Sequence, residues 1–373
     1  MVTSIAEVRL HRRPVPLVRP FVTAVRTATT IDAMLVEVVD SDGRSGWGEA
    51  PTSWRVTGES PQSVTAAVEG PLRDALLGMP LEPAAPLESA AVASLALERA
   101  VVRNSAARMA VDCAVYDLAA QGAGVPLRGL LGASSDRVRT DMTLSAVTKR
   151  EDIEQLATTA AEHMGTGFGV LKVKVGAGGD DVAAMRAVRH AVGPGITLRA
   201  DANQGWTPAQ AVDVIRAWED AGLAVELVEQ PVQRDDIDGL AFVTANVGTT
   251  VLADESVWTS RDAREVIGRH AADMINIKLA KTGGIREAIA VRDLALDADV
   301  SVIVGCMMES HVGIAAAAAV AASVDAASGA PTAHDLDAGL WLSASPVLGG
   351  IHYDADTVRM PDGPGLGILG LAG

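Results

Sequence analysis

Cysteine and aromatic residues are scarce in this chain: two cysteines, Cys113 and Cys306, and 3% Phe, Trp and Tyr in 373 residues. Two thiols build no disulfide framework, so packing must hold the fold, and both read as reduced cysteines of a cytoplasmic protein. Positive charge is also short. Lys and Arg number 31 against 47 Asp and Glu, a net charge of −16. That balance argues against nucleic acid or an anionic membrane as a partner. The first fourteen residues lack the apolar run of a signal peptide. Gly313 to Ala322 is the most apolar stretch, too short to span a bilayer, and reads as a buried helix. No low-complexity linker interrupts the chain. Small aliphatic side chains are abundant, and apolar residues reach 49%. A large core follows rather than disorder. The length accommodates a (β/α)₈ barrel of roughly 250 residues plus a smaller domain.

The early part lacks barrel rhythm. Ser4–Leu10 and Ile31–Val39 read as strands, Asp40-Ser41-Asp42-Gly43 as a turn, and Gly46-Trp47-Gly48-Glu49 as the returning arm of a hairpin. Helical periodicity runs from about Pro61 to Gln121, with Leu95, Ala96, Val102, Met109, Val111 and Val115 as inward candidates. Strands first and helices after make an α+β unit. From about Arg139, eight strand-like runs alternate with helical segments: 139–144, 169–175, 196–201, 224–229, 250–254, 273–278, 300–304 and 334–337. Their apolar character suits buried parallel strands. The last segment, rich in Gly and Pro, is expected to return to the N-terminal unit. The domains are then 1–125, 126–345 and 346–373.

Most of these runs stay apolar until their last few residues, where polar groups appear. Lys174, Asp201, Glu229, Asp254 and Lys278 follow one another at intervals of 27, 28, 25 and 24 residues. Barrels of this kind do chemistry at strand C-termini. Any one carboxylate there could be a helix N-cap, but lysines are not N-caps, and Glu229 precedes Gln230-Pro231. Three carboxylates on adjacent strands suit a hard cation such as Mg²⁺. No Cys/His cluster suggests zinc, and His311 and His334 read as packing residues near the site. Lys172 shares a strand face with Lys174. Together with a metal ion, it would depress Lys174 toward working pH and stabilise negative charge on a substrate carboxylate. Lys278, four strands around the ring, approaches from another side. Two such bases can remove and return an α-proton on opposite faces of one carbon and so invert it.

Lys172-Val173-Lys174, Asp201-Ala202-Asn203, Glu229-Gln230-Pro231, Asp254-Glu255-Ser256 and the run Lys278 to Gly284 resemble the enolase superfamily, muconate lactonising subgroup. Gly46-Trp47-Gly48-Glu49-Ala50 and Gly365-Leu366-Gly367 extend the resemblance over nearly the whole chain. It implies an α/β fold, a modified (β/α)₇β TIM barrel with an N-terminal α+β capping domain completed by the C-terminal segment. It also implies Mg²⁺ on Asp201, Glu229 and Asp254, with Lys174 and Lys278 as bases and Lys172 beside them. Asp335-Leu336-Asp337 resembles the Asp-x-Asp motif with which dipeptide epimerases hold a free ammonium. The run Phe21 to Thr27 resembles the capping loop of L-Ala-D/L-Glu epimerases, where an arginine, here Arg26, meets the glutamate side chain. Arg19 is the nearest competitor for that role but lies outside the matching stretch. Thr57 belongs to the second capping loop, while Met307 and Glu309 lie near the expected pocket. The expectation is a Mg²⁺-dependent dipeptide epimerase with a small-molecule substrate, in a closed symmetric homo-oligomer. It would serve murein peptide recycling. The alternatives are N-acylamino acid racemase, o-succinylbenzoate synthase and muconate cycloisomerase, whose substrates lack the free ammonium that Asp335 and Asp337 would hold.

Overall fold

The structure is a computed structural model and describes residues 2–22 and 27–373. The N-terminal unit is an antiparallel sheet of β1 (Thr3–Val22), β2 (Thr27–Asp40), β3 (Ser45–Ala50) and the short β4 (Pro80–Leu81), in the order β3-β2-β1-β4. The β2–β3 turn is tied by Asp40, whose carboxylate accepts from the Asp42 and Arg44 backbone N–H groups at 3.0 and 2.9 Å. Both expected strands are present, but β1 continues far beyond Leu10. Pro14, Pro16 and Pro20 lie within it. They are tolerated because β4 pairs with β1 only at Thr3 and Ser4, which leaves the proline-bearing stretch near a sheet edge, met there by an isolated bridge from Leu17 to Leu342.

The helical stretch after the sheet is divided. Pro61–Ala67 runs into a kink at Gly70 and Pro71, and two long helices follow, Pro86–Ala100 and Ser105–Ala123. Met109, Val111 and Val115 are buried as expected, but Leu95 and Val102 are 39% and 88% exposed. The inner face of Pro86–Ala100 is instead Ala90, Ala93, Ser94 and Leu97, and Val102 falls in the connection between helices. Helix Ser105–Ala123 lies almost in contact with β3. A Cβ on Gly48 would stand 2.0 Å from the Ala110 carbonyl oxygen, and one on Gly46 would stand 2.1 Å from that of Ala114. The two glycines therefore set the distance between helix and sheet.

The barrel strands are β5 (Arg137–Thr140), β6 (Met142–Leu144), β7 (Val170–Lys174), β8 (Thr197–Asp201), β9 (Val225–Glu229), β10 (Thr250–Ala253), β11 (Met274–Lys278), β12 (Ser301–Gly305) and β13 (Ala333–His334). From β6 to β12 they form one seven-stranded parallel sheet in chain order. The first expected strand, 139–144, is broken at buried Asp141, which accepts from Arg199 at 3.1 Å. The ring is completed by β13, which pairs in parallel with β5 and bridges to β12 through Gly305 and Asp335. Helix His311–Ser328 is buried from Val312 to Val324, as its apolar run suggests.

The C-terminal segment makes β14 (Val347–Gly349), β15 (His352–Asp354), β16 (Thr357–Arg359) and β17 (Ile368–Leu371). The β15–β16 hairpin adds to β5, beside the barrel. Gly365 and Leu366 reach helix Ser105–Ala123, where Asp117 accepts from the Leu366 N–H at 2.8 Å and the Trp47 N–H at 2.9 Å. The segment thus touches both units.

Because no rotamer relieves a Cβ placed against backbone, Gly48→Ala should destabilise the protein by about 1–3 kcal/mol. A lower urea midpoint at unchanged m-value is the expected reading.

Candidate active site

Strand register brings the polar ends together. Lys174 on β7 pairs with Asp201 on β8, and Asp201 with Glu229 on β9. Asp254 directly follows β10, and Lys278 ends β11. All are buried, as are Lys172, Asp335 and Asp337. Gly305, opposite Lys278 on β12, leaves room for that lysine: a Cβ there would stand 2.8 Å from the Lys278 Cε.

Ion pairs connect the ring. Lys174 Nζ lies 2.5 Å from Asp201 Oδ2. Lys278 Nζ lies 2.8 Å from Asp254 Oδ2 and 3.8 Å from Glu229 Oε1. Lys172 Nζ rests against Asp335 Oδ2 and is 3.7 Å from Glu229 Oε2. Lys281 Nζ holds Asp254 Oδ1 at 2.7 Å and the Asn276 carbonyl at 2.9 Å. Asp337 Oδ2 accepts from the Thr143 N–H at 2.7 Å and from the Trp341 indole at 3.2 Å.

The charges do not balance. Asp201, Glu229, Asp254, Glu255, Asp335 and Asp337 face Lys172, Lys174, Lys278 and Lys281, an excess of two negative charges when all are ionised. Burial and the neighbouring Asp201 push the Glu229 carboxyl up to about 8. Its Oε2 has no hydrogen-bond donor. Burial also pushes Asp254 up, but Lys278 and Lys281 outweigh it and hold that carboxyl well below the usual range. Burial opposes the charge on Lys172 and Lys278, yet their carboxylates win and keep both protonated. For Lys281, burial dominates and lowers the value. A crowded acid trio, an unpartnered oxygen and a deficit of two positive charges fit a divalent cation bound by oxygen ligands.

Among the described residues, the donor atoms that gather within 4.8 Å of one another are those of Cys306, Asp335 and Asp337. Lys172 already neutralises Asp335, and burial pushes the Cys306 thiol up, so this group suits an ammonium better than a metal. In the Asp201, Glu229 and Asp254 set, the outer carboxylates are turned onto lysines.

A cavity opens above the ring. Its walls include Lys172, Lys174, Lys278, Asp335, Asp337 and Met307. From the N-terminal unit, Arg55 and Val56 reach it. Thr57 does not line it: its hydroxyl bonds the Ser53 carbonyl at 3.3 Å and accepts from the Glu59 N–H at 3.4 Å, holding its own turn. Glu309 is buried behind the wall, accepting from the Met307 N–H at 2.8 Å. It shapes the loop that presents Met307. Arg26 lies outside the described residues. His334 is a packing residue between the Val304 N–H and Asp325, and His311 packs edge-on to Tyr353.

Sequence reasoning gave Gln230, Asn276 and Lys281 no role of their own. Gln230 Oε1 accepts from the Asp254 and Ser256 N–H groups at 3.0 and 3.1 Å. Asn276 donates to Glu229 at 2.8 Å. These side chains set the carboxylates' positions, and only their place beside the acidic motifs marked them. Asn203, Gln204 and Gln230 also hold positive φ angles of 43°, 70° and 37°, strain of the kind that collects at functional sites.

Two family models match the chain: "Mandelate racemase / muconate lactonizing enzyme, N-terminal domain" over residues 5–132 and "Enolase C-terminal domain-like" over residues 155–369. The chain belongs to the mandelate racemase / muconate lactonizing enzyme family. Within that family it is 42% identical to the L-Ala-D/L-Glu epimerase of Bacillus subtilis, over 99% of this chain and 98% of that one. It is 37% identical to the hydrophobic dipeptide epimerase of Enterococcus faecalis, over 98% and 99%. A substrate-liganded structure of the Bacillus subtilis enzyme superposes with a TM-score of 0.92, covering 99% of both chains. A dipeptide epimerase from Cytophaga hutchinsonii, solved with Mg and D-Ala-L-Val, superposes at 0.89 with 33% identity, covering 98% of this chain and 96% of that one.

Burial and the charge of Glu49 push Glu309 up to about 8, from an ordinary 4.5. A carboxyl raised in the folded state contributes stability that is complete below about pH 4.5 and lost as pH rises through about 8. Between pH 6 and pH 9 the urea midpoint of wild type should therefore fall further than that of Glu309→Gln, which carries no charge to lose.

Proposed function

We propose that this protein is a Mg²⁺-dependent dipeptide epimerase, acting on L-Ala-D/L-Glu or a close relative. The observation that carries the reading is the position of Lys174 and Lys278, on β7 and β11, either side of the buried carboxylate trio, with Asp335 and Asp337 at the next corner of the same cavity. The similarity to several dipeptide epimerases over the full chain supports it.

Asp201, Glu229 and Asp254 would hold Mg²⁺, which supplies positive charge next to the carboxylate of the substrate's second residue. Asp335 and Asp337 bind the free ammonium and fix the peptide across the barrel mouth. One lysine removes the α-proton of the second residue, leaving the electron pair on the carboxylate as an enediolate. The lysine opposite delivers a proton to the other face, so one Cα–H bond breaks and another forms with inverted configuration. Lys278, held protonated, is charged as the donor in one direction. Lys172 adds fixed positive charge. Met307, Arg55 and Val56 close the cavity and keep water from the carbanion. A role in murein peptide recycling fits such a substrate, and the two buried, unpaired cysteines are compatible with a reducing cytoplasm.

Lys278→Ala should lower epimerisation about 10³-fold. In D₂O it should still let Lys174 exchange the α-proton of one epimer and not the other. Full-rate epimerisation by this variant would rule out two bases. Asp337→Asn should lose dipeptide turnover while retaining Mg²⁺ affinity by calorimetry. Should it instead act normally on dipeptides while wild type racemises N-acylamino acids, the acylamino acid reading would replace ours.

A further inference from the structure

Arg199 stands on β8 two residues before Asp201, on the same strand face and one layer deeper in the barrel. It is 2% exposed and lies opposite Lys172 in the β7–β8 register. Its guanidinium reaches acceptors in three separate elements. Nε donates to Glu226 Oε2 at 2.6 Å, while Nη1 donates to Asp141 Oδ2 at 3.1 Å and to the Ala333 carbonyl at 2.8 Å. Glu226, on β9, is half-exposed. Asp141 is fully buried between β5 and β6, and its Oδ1 has no hydrogen-bond donor. Ala333 opens β13. Arg199, Asp141 and Ala333 lie beneath the cavity, outside its wall.

The segment that Arg199 holds has little ladder of its own. β13 pairs with β5 at Ala333–Arg139 and His334–Thr140, and an isolated bridge joins Asp335 to Gly305. Asp335 and Asp337 follow directly. Contacts from β5 and β6 fix this segment on one side: the Asp141 N–H donates to the His334 carbonyl at 2.9 Å, the Leu336 N–H to Thr140 Oγ1 at 2.9 Å, and the Thr143 N–H to Asp337 Oδ2 at 2.7 Å. Arg199 fixes it from across the barrel interior, tying Ala333 to the strand that carries Asp201. It also pairs with Asp141, which is close enough to feel the site above. Burial, and next the charge of Asp335, push the Asp141 carboxyl up against the pull of Lys172 and Arg199. Without the guanidinium, Asp141 would compete with Asp335 for Lys172. We propose that Arg199 is a positioning residue for the substrate's ammonium group: through the Ala333 carbonyl and Asp141 it sets where Asp335 and Asp337 stand relative to Lys172. This rests on the epimerase reading, in which those two carboxylates bind the ammonium.

The test uses L-Ala-L-Glu and N-propionyl-L-glutamate, the same molecule with hydrogen in place of the ammonium. With Mg²⁺ present, α-proton exchange in D₂O gives the KM of the dipeptide, and inhibition of that exchange gives the Ki of the analogue. Removing Arg199 alone strands a buried carboxylate, so the main variant is Arg199→Met/Asp141→Leu, which replaces the pair by apolar groups. Arg199→Lys keeps the buried charge and loses the fork. Wild type should bind the dipeptide more tightly than the analogue. The double variant should raise the dipeptide KM about tenfold, the scale of one hydrogen bond to a charged group, and leave the analogue's Ki in place. Arg199→Lys should fall between. Equal rises in KM and Ki would reduce Arg199 to a support for the fold and overturn the proposal, as would an unchanged KM in both variants. A wild type that exchanges dipeptides yet binds the analogue equally well would remove the ammonium site, and Arg199's role with it, while the two-base reading stood. No exchange on any L-Ala dipeptide would remove the epimerase reading itself.

Discussion

The organisation of this molecule depends on a buried, unbalanced set of charges at one end of a barrel. Isolated charges in an apolar interior cost several kcal/mol each. Here Lys174 and Asp201, Lys278 and Asp254, and Lys172 and Asp335 form facing pairs at the ends of the barrel strands, the first of them in direct strand register. The pairs leave Glu229 poorly compensated, with Asn276 the hydrogen-bond donor to one oxygen and the other without a donor. A fold optimised for stability alone would not keep six acids against four lysines in this space. The excess reads as stored affinity for a cation and for a cationic group on the substrate, and the wide apolar core around it bears the cost.

Much of this was legible in the sequence because barrel strands are apolar until they reach their functional ends. The intervals between Lys174, Asp201, Glu229, Asp254 and Lys278 are intervals of a repeating unit, so the chain states both the architecture and the ring order. What was not legible depends on partners distant in sequence. Lys281 contacts Asp254 through a side chain and a backbone carbonyl, an arrangement no spacing announces. Arg19 meets His163 across 144 residues. The full length of β1 was not legible, because a strand carries prolines only where it runs along a sheet edge, and an edge is a tertiary fact. Thr57 carried an expectation that belongs to its neighbours: the hydroxyl closes a local turn, and that turn presents Arg55 and Val56 to the cavity.

Buried carboxylates also fix the two units against each other. Glu49 on β3 accepts from the Ser310 and Gly313 N–H groups at the start of helix His311–Ser328, at 2.9 and 3.0 Å. Asp112 accepts from the Ile285 N–H at 2.6 Å, where helix Ile285–Asp297 begins just after the Lys278 motif. Within the N-terminal unit, Glu59 accepts from Ala106 and Ala107 at 2.9 and 3.0 Å, the first turn of helix Ser105–Ala123. Each places a negative charge on a helix N-terminus, where backbone donors lack partners and the helix dipole favours an anion.

These contacts bear on specificity. Arg55 and Val56, which reach the cavity, come from the N-terminal unit, whereas the lysines and carboxylates come from the barrel. Selectivity can then change by substitution in the N-terminal sheet and its loops without disturbing the charge set beneath. That separation works only if the upper unit sits at a fixed height and angle over the barrel. Glu49 and Asp112 provide this by binding the helices that follow β12 and β11, the strands that carry Gly305 and Lys278. The loop that carries Arg55 and Val56 is thus referenced to the strands that carry the buried charges, and the cavity is walled by one unit above the charge set of the other.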